Sequence, residues 1–267
     1  MGAAGGDKQV NPSSMAFTTF IPRAALQPFI HQLAIQEAAE QQTYKVLPGT
    51  GLVIGFQYSG RLGRVEGDAT TTLSTAGITG LQDSYSVFTN TPHIGTVLVF
   101  FKEAGAAAFF KQPLHELFRQ SVSLDNFMLR STLLLLEEQL CEANNAAARI
   151  DIVETFLLAR LQQPAPDQLV LAALSLIHKS GGNIRIQQLA QQLHTSQSPL
   201  EKRFRKAVGA SPKKFASIVR IKYAIDQFSK QPSLTALGYD AGFYDQAHFI
   251  KEFKTFTGET PEAFFNQ

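Results

Sequence analysis

Along this chain the apolar and polar positions keep two different rhythms. From about Tyr44 to Phe101 the apolar runs are short, rich in Gly, Thr, Val and Ile, and broken by "LPGTG", "YSGRLG" and "EGDA". "GLVIGFQY", "TTTLSTAGI", "SYSVF" and "IGTVLVFF" have the length and turn spacing of strands in an antiparallel sheet or barrel. After "KEAGAAAFFKQP" the period lengthens. Phe127, Leu129, Leu133, Leu136 and Leu140 recur at helical spacing behind Ser123, a suitable cap. "AAARIDIVETFLLARL" predicts a second helix, with Ile152, Phe156 and Leu157 on one face. Two prolines in "QQPAPD", Gln162 to Asp167, then stop it and mark a linker.

Everything after the linker reads as helix. "QLVLAALSLIHKSGG" ends on a Gly pair, a C-cap signal. "RIQQLAQQL" puts Ile186, Leu189, Ala190 and Leu193 on one stripe. "PKKFASIVRIKYAIDQFSKQ" opens with Pro212 in a first turn and turns Phe215, Ile218, Ile221, Ala224, Ile225 and Phe228 inward. The expected fold is α+β: an antiparallel β-barrel plus a helix pair, then an all-α domain. The expected divisions are a flexible leader over 1–15 (with Met15 an alternative start), a first domain over 16–162, a linker over 163–167 and a second domain over 168–267. The linker is expected to separate two cores, so that residues 167–267 would fold alone.

Inside the helical region one pattern is written twice. "SQSPLEKRFRKAVGASP" from Ser196 and "DQAHFIKEFKTFTGETP" from Asp245 align without a gap. They match at Leu200 with Phe249, Phe204 with Phe253, Lys202 with Lys251 and Arg205 with Lys254, and both close on Gly-x-x-Pro. Each follows a short helix with a small residue near its end, Ala190 or Gly238. That is the helix-turn-helix pattern. Ser196 and Asp245 hold equivalent N-cap places, which favours Ser196 over the competing start at Ser198. With Leu200 and Phe204 buried, the outward face carries Gln197, Ser198, Glu201, Lys202 and Arg205. With Phe249 and Phe253 buried, it carries Gln246, Ala247, His248, Lys251 and Lys254. Gln and Lys suit base edges, and Lys and Arg suit phosphates. Two reading helices on one stiff connector fit successive major grooves, roughly 34 Å apart.

Charge sharpens this picture. The net charge of +2 hides 11 Lys and Arg against 14 Asp and Glu in residues 1–166, but 13 against 8 in residues 167–267. The basic excess lies wholly in the helical third, where a polyanion would bind. Composition adds bounds: 44% hydrophobic and 17% charged residues describe a globular chain, with no apolar run of membrane-spanning length. The lone Cys141 excludes an internal disulfide and a Cys-based zinc cluster, and makes the cytoplasm the expected compartment. His93 and His115 lack the close ligand spacing of a metal site, so no metal and no cofactor are expected. No phosphate loop or nucleophile motif stands out, and an enzyme is not expected.

The last hundred residues resemble the DNA-binding domain of AraC/XylS-type transcriptional regulators. The likeness runs through "LAQQLHTSQSPLEKRFRKAVGASPKKF", "IVRIKYAIDQF" and "GYDAGFYDQAHFIKEFKTFTGETPEAFF". It implies seven helices, two helix-turn-helix units, and base contacts from Ser198, Glu201 and Lys202, then Gln246, Ala247, His248 and Lys251. The chain departs from the family pattern at Gly238, where Ala is usual, and at Lys202, where Arg is common. "VLPGTGLVIGF" and "VLVFFKEAGAAAFFKQPLHEL" look like a cupin-like sensor domain, which implies a small-molecule effector, dimerisation, or both. Phe56, Tyr58, Tyr85 and Phe100 are the aromatic candidates for an effector pocket. Residues 123–161 are the expected homodimer contact, because the run Leu133 to Leu136 exceeds one helical stripe. Double-stranded DNA is the expected partner, with RNA polymerase a further candidate and no membrane.

Overall fold

A computed structural model gives the arrangement of residues 15–162, 166–228 and 233–266. Residues 1–14 of the expected leader and 163–165 of the expected linker lie outside the described residues. Met15, assigned to the leader by the sequence reading, is buried, with its Sδ 2.8 Å from Gln36 Nε2.

The described strands form two antiparallel sheets, numbered here in chain order. The first runs β1 (Ala16–Phe20), β2 (Ile30–Ala38), β9 (Ile94–Phe101), β4 (Val53–Ser59), β7 (Ala76–Thr79), β10 (Ser121–Ser123). The second runs β3 (Thr43–Val46), β8 (Ser86–Asn90), β5 (Leu62–Glu66), β6 (Ala69–Thr72). Because side chains alternate along a strand, each face of the first sheet collects every second residue. Val97, Val99 and Phe101 of β9 join Ile54 and Phe56 of β4 in the main core. Thr96, Leu98 and Phe100 of β9, with Val53, Gly55 and Gln57 of β4, face a cavity instead. The register Gln57↔Thr96 keeps these sets on their own sides.

The strand pattern departs from expectation in two places. "TTTLSTAGI" is not one strand: its start belongs to β6 of the second sheet and its end to β7 of the first. β1 and β2 precede the region where strands were expected. "IHQLAIQEA" of β2 is rich in Ala, Gln and Glu, which favour helix, yet it is paired on both sides, by β1 and β9. Pairing and burial decide strand formation more than intrinsic preference does.

Two helices, α1 (Arg130–Glu142) and α2 (Ala146–Leu158), cover the outer face of the first sheet. Phe56 meets Phe156 edge-to-face, centroids 5.7 Å apart. Ser123 caps a short 3-10 turn at Leu124–Asn126 rather than α1, which starts at Arg130. Consequently Leu133, Leu136 and Leu140 are buried, whereas Leu129 stands at the N-cap and is 75% exposed.

The helical third contains α3 (Gln168–Lys179), α4 (Ile186–Gln192), α5 (Gln197–Val208), α6 (Pro212–Gln227), α7 (Leu234–Asp240), α8 (Gln246–Thr257) and α9 (Pro261–Phe265). Its cores do not part at the linker. One continuous cluster joins the first sheet, α1 and α2 to Val170, Ile177, Leu189, Leu200, Phe204 and Phe215. A separate cluster holds Ile218, Ile221, Leu237, Phe243, Phe249 and Phe253. The seam therefore runs along α6, inside the helical domain. The bridge across the linker is a 3-10 turn, Leu114–Leu117, that packs on α5. Leu114 and Leu117 are buried, and Gly209 at the end of α5 sits under the Leu114 carbonyl. An apolar contact of this kind couples the two regions by area removed from water.

Truncating Leu114 to Ala should cost about 2–5 kcal/mol, as for other buried leucines. Because the cluster is continuous, urea unfolding of Leu114→Ala should shift the sheet signal and the α3–α5 signal together. A shift of the sheet transition alone would show that the cluster is not one cooperative unit.

Candidate nucleic-acid interface

In the first unit, Leu189 and Ala190 of α4 and Leu200, Phe204 and Val208 of α5 are buried against each other and α3. Gln197, Ser198, Glu201, Lys202 and Arg205 all remain exposed on the far side of α5. Glu201 Oε1 lies 3.8 Å from Arg205 Nη1, one turn on, so part of the basic face is internally balanced. Ser196 is the N-cap residue, as expected, but its side chain accepts no cap hydrogen bond.

The second unit repeats the plan with different fastenings. Phe249 and Phe253 are fully buried, and Gln246, Ala247, His248, Lys251 and Lys254 are exposed. Here the cap is made: His248 N donates to Asp245 Oδ1 at 2.7 Å. His248 Nε2 is also 3.2 Å from Glu252 Oε1, and its ring meets Phe243 edge-on. Glu252 ties α8 to the connector, accepting from Arg220 at 2.9 Å and Ser217 at 3.2 Å. His248 thus leans on its own domain while its edge stays outside. Gly238 is buried, and a Cβ there would meet Phe249 at 3.4 Å, so the small residue lets α7 and α8 approach.

The turns differ. Four residues, 193–196, separate α4 from α5, with His194 left-handed at φ 49°. Five residues, 241–245, separate α7 from α8, with Gly242 left-handed at φ 77° and pressed against Asn183. The closing motifs match closely: Gly209 and Gly258 are both left-handed C-caps, at φ 97° and 85°. Ser211 then caps α6 and Thr260 caps α9, each followed by Pro at the first turn. The repeat is thus structural as well as written in sequence.

Ion pairs join this helical domain to the sheets. Asp83, buried at the foot of the second sheet, accepts from Arg119 at 2.5 and 2.8 Å and from Lys214 of α6 at 2.7 Å. Burial pushes its carboxyl up, but the Arg119 and Lys214 hydrogen bonds and charges outweigh that and hold it below the usual carboxylate range. Glu103 accepts from Thr50 and pairs with His178 of α3 at 3.1 Å; burial opposes and these partners win, again lowering its pKa. Within the helical domain, Asp167 at the N-cap of α3 takes a two-point grip from Arg203 of α5, at 2.6 and 2.7 Å. Lys45 of β3 pairs with Glu259, and the Tyr85 ring lies against Gly258.

Between the two sheets lies a cavity of about 500 Å³, one wall of which comes from the helical domain: Lys222, Ile225, Asp226, Phe256 and Phe264. Of the four aromatic candidates only Phe100 lines it. Phe56 is on the opposite face of β4, against Phe156. Tyr58 is on that side too, donating to Glu37 with the Arg149 guanidinium over its ring. Tyr85 is outside, at Gly258. Alternation along β4 puts Gln57 inside in place of its aromatic neighbours, so the polar inward positions were the readable signal. Tyr44 does face the cavity; burial pushes its phenol up, only partly offset by the Gln36 hydrogen bond. Among the described residues no group of three or more His, Cys, Asp or Glu side chains could hold a metal ion. None of their helices is long and apolar enough to cross a membrane.

This geometry defines a class, a sheet domain docked on a double helix-turn-helix domain. Residues 189–267 match the family described as a helix-turn-helix domain, and residues 18–123 one described as a domain of unknown function (DUF6597). This chain thus carries a C-terminal helix-turn-helix domain of the AraC type. It is 29% identical over 119 residues to an Msm operon regulatory protein of Streptococcus mutans, covering 42% of each chain. It is 26% identical to an uncharacterized HTH-type transcriptional regulator of Haemophilus influenzae, covering 44% of this chain and 39% of that one. The matches thus span about two-fifths of the length of these curated relatives. Among solved structures, ToxT from Vibrio cholerae is similar over 95% of this chain and 98% of its own, at 11% identity and TM-score 0.45. An AraC-type regulator from Chromobacterium violaceum is similar over 36% and 87%, at 22% identity and TM-score 0.33.

Asp83 carries a pH prediction. A carboxyl whose folded pKa lies below its unfolded value stabilises fully above the unfolded value and loses that contribution as pH falls through the folded one. Docking should therefore weaken in the acid range below ordinary carboxylate titration. Asp83→Asn should lower the melting temperature at pH 7 and flatten its fall towards pH 3. A mutant that melts like wild type at both pH values would remove Asp83 from the docking energetics.

Proposed function

We propose that the chain is a sequence-specific DNA-binding transcriptional regulator governed by a small molecule held in the cavity. The observation that carries the first part is the pair of matched helices, α5 and α8, whose apolar sides are buried and whose polar, partly basic sides are open. Gln197, Ser198, Glu201, Lys202 and Arg205 are the contacts of one half, and Gln246, Ala247, His248, Lys251 and Lys254 those of the other. α6, 16 residues long, holds the two units at a fixed relation. DNA is double-stranded, and the two helices enter successive major grooves on one face of it.

Control follows from the shared wall. Ile225, Phe256 and Phe264 belong to the second unit and also close the cavity. A molecule that fills the cavity presses on the back of α8 and α9 and so biases how the second reading helix sits. The first unit, bonded to the sheets through Leu114, is the fixed partner in this arrangement. A homodimer through α1 is supported by Leu134 and Leu135, 52% and 56% exposed beside the open groove between α1 and α2. RNA polymerase is a partner of the bound regulator, and the cytoplasm is the compartment such a role requires.

Lys202→Ala and Lys251→Ala should each weaken operator binding by about 1–3 kcal/mol. Both side chains are exposed, so melting temperatures should hold. Footprints should lose protection at opposite ends of the site, about one helical turn apart; the same loss from both mutants would contradict docking in two grooves. For the dimer, Leu135→Glu, at the more exposed of the two leucines, should turn a sedimenting dimer into a folded monomer. Wild type that stays monomeric at tens of micromolar, about tenfold above a micromolar dimer constant, would end that part of the reading.

A further inference from the structure

The wall of the cavity is divided by charge. Its deep positions are neutral: Gln36, Gln57, Ser86 and Thr96 are buried, at 8%, 6%, 8% and 2% exposure, beside Leu98 and Phe100. None of the wall's ionisable side chains, the Tyr44 phenol included, is among its buried positions; each is partly or fully open to solvent, which sets the charges towards the rim. Two of the rim charges are already answered, Lys45 by Glu259 and Glu103 by His178. Sheet alternation fixes this arrangement: Gln57 and Thr96 are cross-strand partners on one face, so amide and hydroxyl stand side by side.

An ion carried into the deep end would lose its hydration and meet no opposite charge there, which is costly. A neutral molecule with its own hydroxyl or amide would trade water for the Thr96 and Ser86 hydroxyls and the Gln36 amide at little cost. We propose that the cavity takes an uncharged organic molecule with an apolar body and a hydroxyl- or amide-bearing end, and discriminates against the corresponding carboxylate and amine. This rests on the reading of the cavity as the effector site. Leu98, Phe100 and, from the helical domain, Phe256 hold the apolar body, so the ligand spans from the sheets to the second helix-turn-helix unit.

The test uses the full chain and three probes on one skeleton: 4-phenylbutanamide, 4-phenylbutanoate and 4-phenylbutylammonium. Binding is measured at neutral pH by ligand-observed NMR and calorimetry. The amide should bind at least about tenfold more tightly than either ion. Thr96→Val, which exchanges the hydroxyl for a methyl of similar size, and Ser86→Ala, which removes the hydroxyl, should each weaken the amide by about fivefold, the usual net worth of one hydrogen bond. Their melting temperatures report that they fold. If the carboxylate binds as well as the amide and responds to the same two variants, the ligand class is wrong while the effector site stands. If the amide binds but ignores both variants, it sits elsewhere and the proposal falls. If no probe binds up to millimolar concentration, the effector reading falls with it.

Discussion

The rest of the structure depends on the burial of α6 on two sides at once. Phe215, Ala216 and Val219 face the large cluster that reaches back to the sheets, while Ile218, Ile221 and Ala224 face the cluster of the second unit. A helix with a single apolar stripe packs on one neighbour; one with two stripes becomes a shared wall. Pro212 and the Ser211 cap fix where it begins, so both stripes start in register with the end of α5. Because interiors are close-packed and resist continuous deformation, a wall of this kind transmits displacement rather than absorbing it. The relation of α5 to α8 is therefore set by the packing of one helix.

Docking of the sheets onto this framework is uneven. The first unit is joined by apolar burial around Leu114 and by Asp83, which reaches Lys214 from a nearly solvent-free site. The second is joined by Lys45 with Glu259, by Leu47 and Tyr85, and by the cavity itself. Burial of apolar area is hard to exchange for anything else, whereas partly exposed ion pairs are worth little and a cavity can be filled or emptied. The physical contrast ties the first unit firmly to the sheets and leaves the second held by weaker contacts around the cavity.

The copies themselves differ in small ways that local chemistry explains. Asp245 caps α8 and Ser196 leaves α5 without a side-chain cap. The extra residue before α8 places Phe243 under His248, and Gly242 supplies the left-handed turn that lets Asn183 come close. Lys202 and Lys251 nonetheless emerge at the same place on their helices. The caps and turns vary while the burial of Leu200 with Phe204, and of Phe249 with Phe253, is kept.

By itself the sequence determined everything that depends on near neighbours along the chain. The periodicity of Leu189, Ala190, Leu200 and Phe204, repeated at Leu237, Gly238, Phe249 and Phe253, fixed two helix pairs and their outward faces. Gly-x-x-Pro fixed where each ended, and the length and turn spacing of the short apolar run "IGTVLVFF" fixed a strand. Tertiary structure alone decided which face of each strand met which layer. Phe56 and Gln57 are adjacent, and only the pairing of β4 with β9 sends one to the helices and the other to the cavity; a shift of one residue would exchange them. It also decided that "IHQLAIQEA" is a strand, that one core is shared by the sheets and the first helices of the helical domain, and that Asp83 meets Lys214 across 131 positions of chain. Those outcomes rest on contacts between distant segments, for which spacing along the sequence carries no signal.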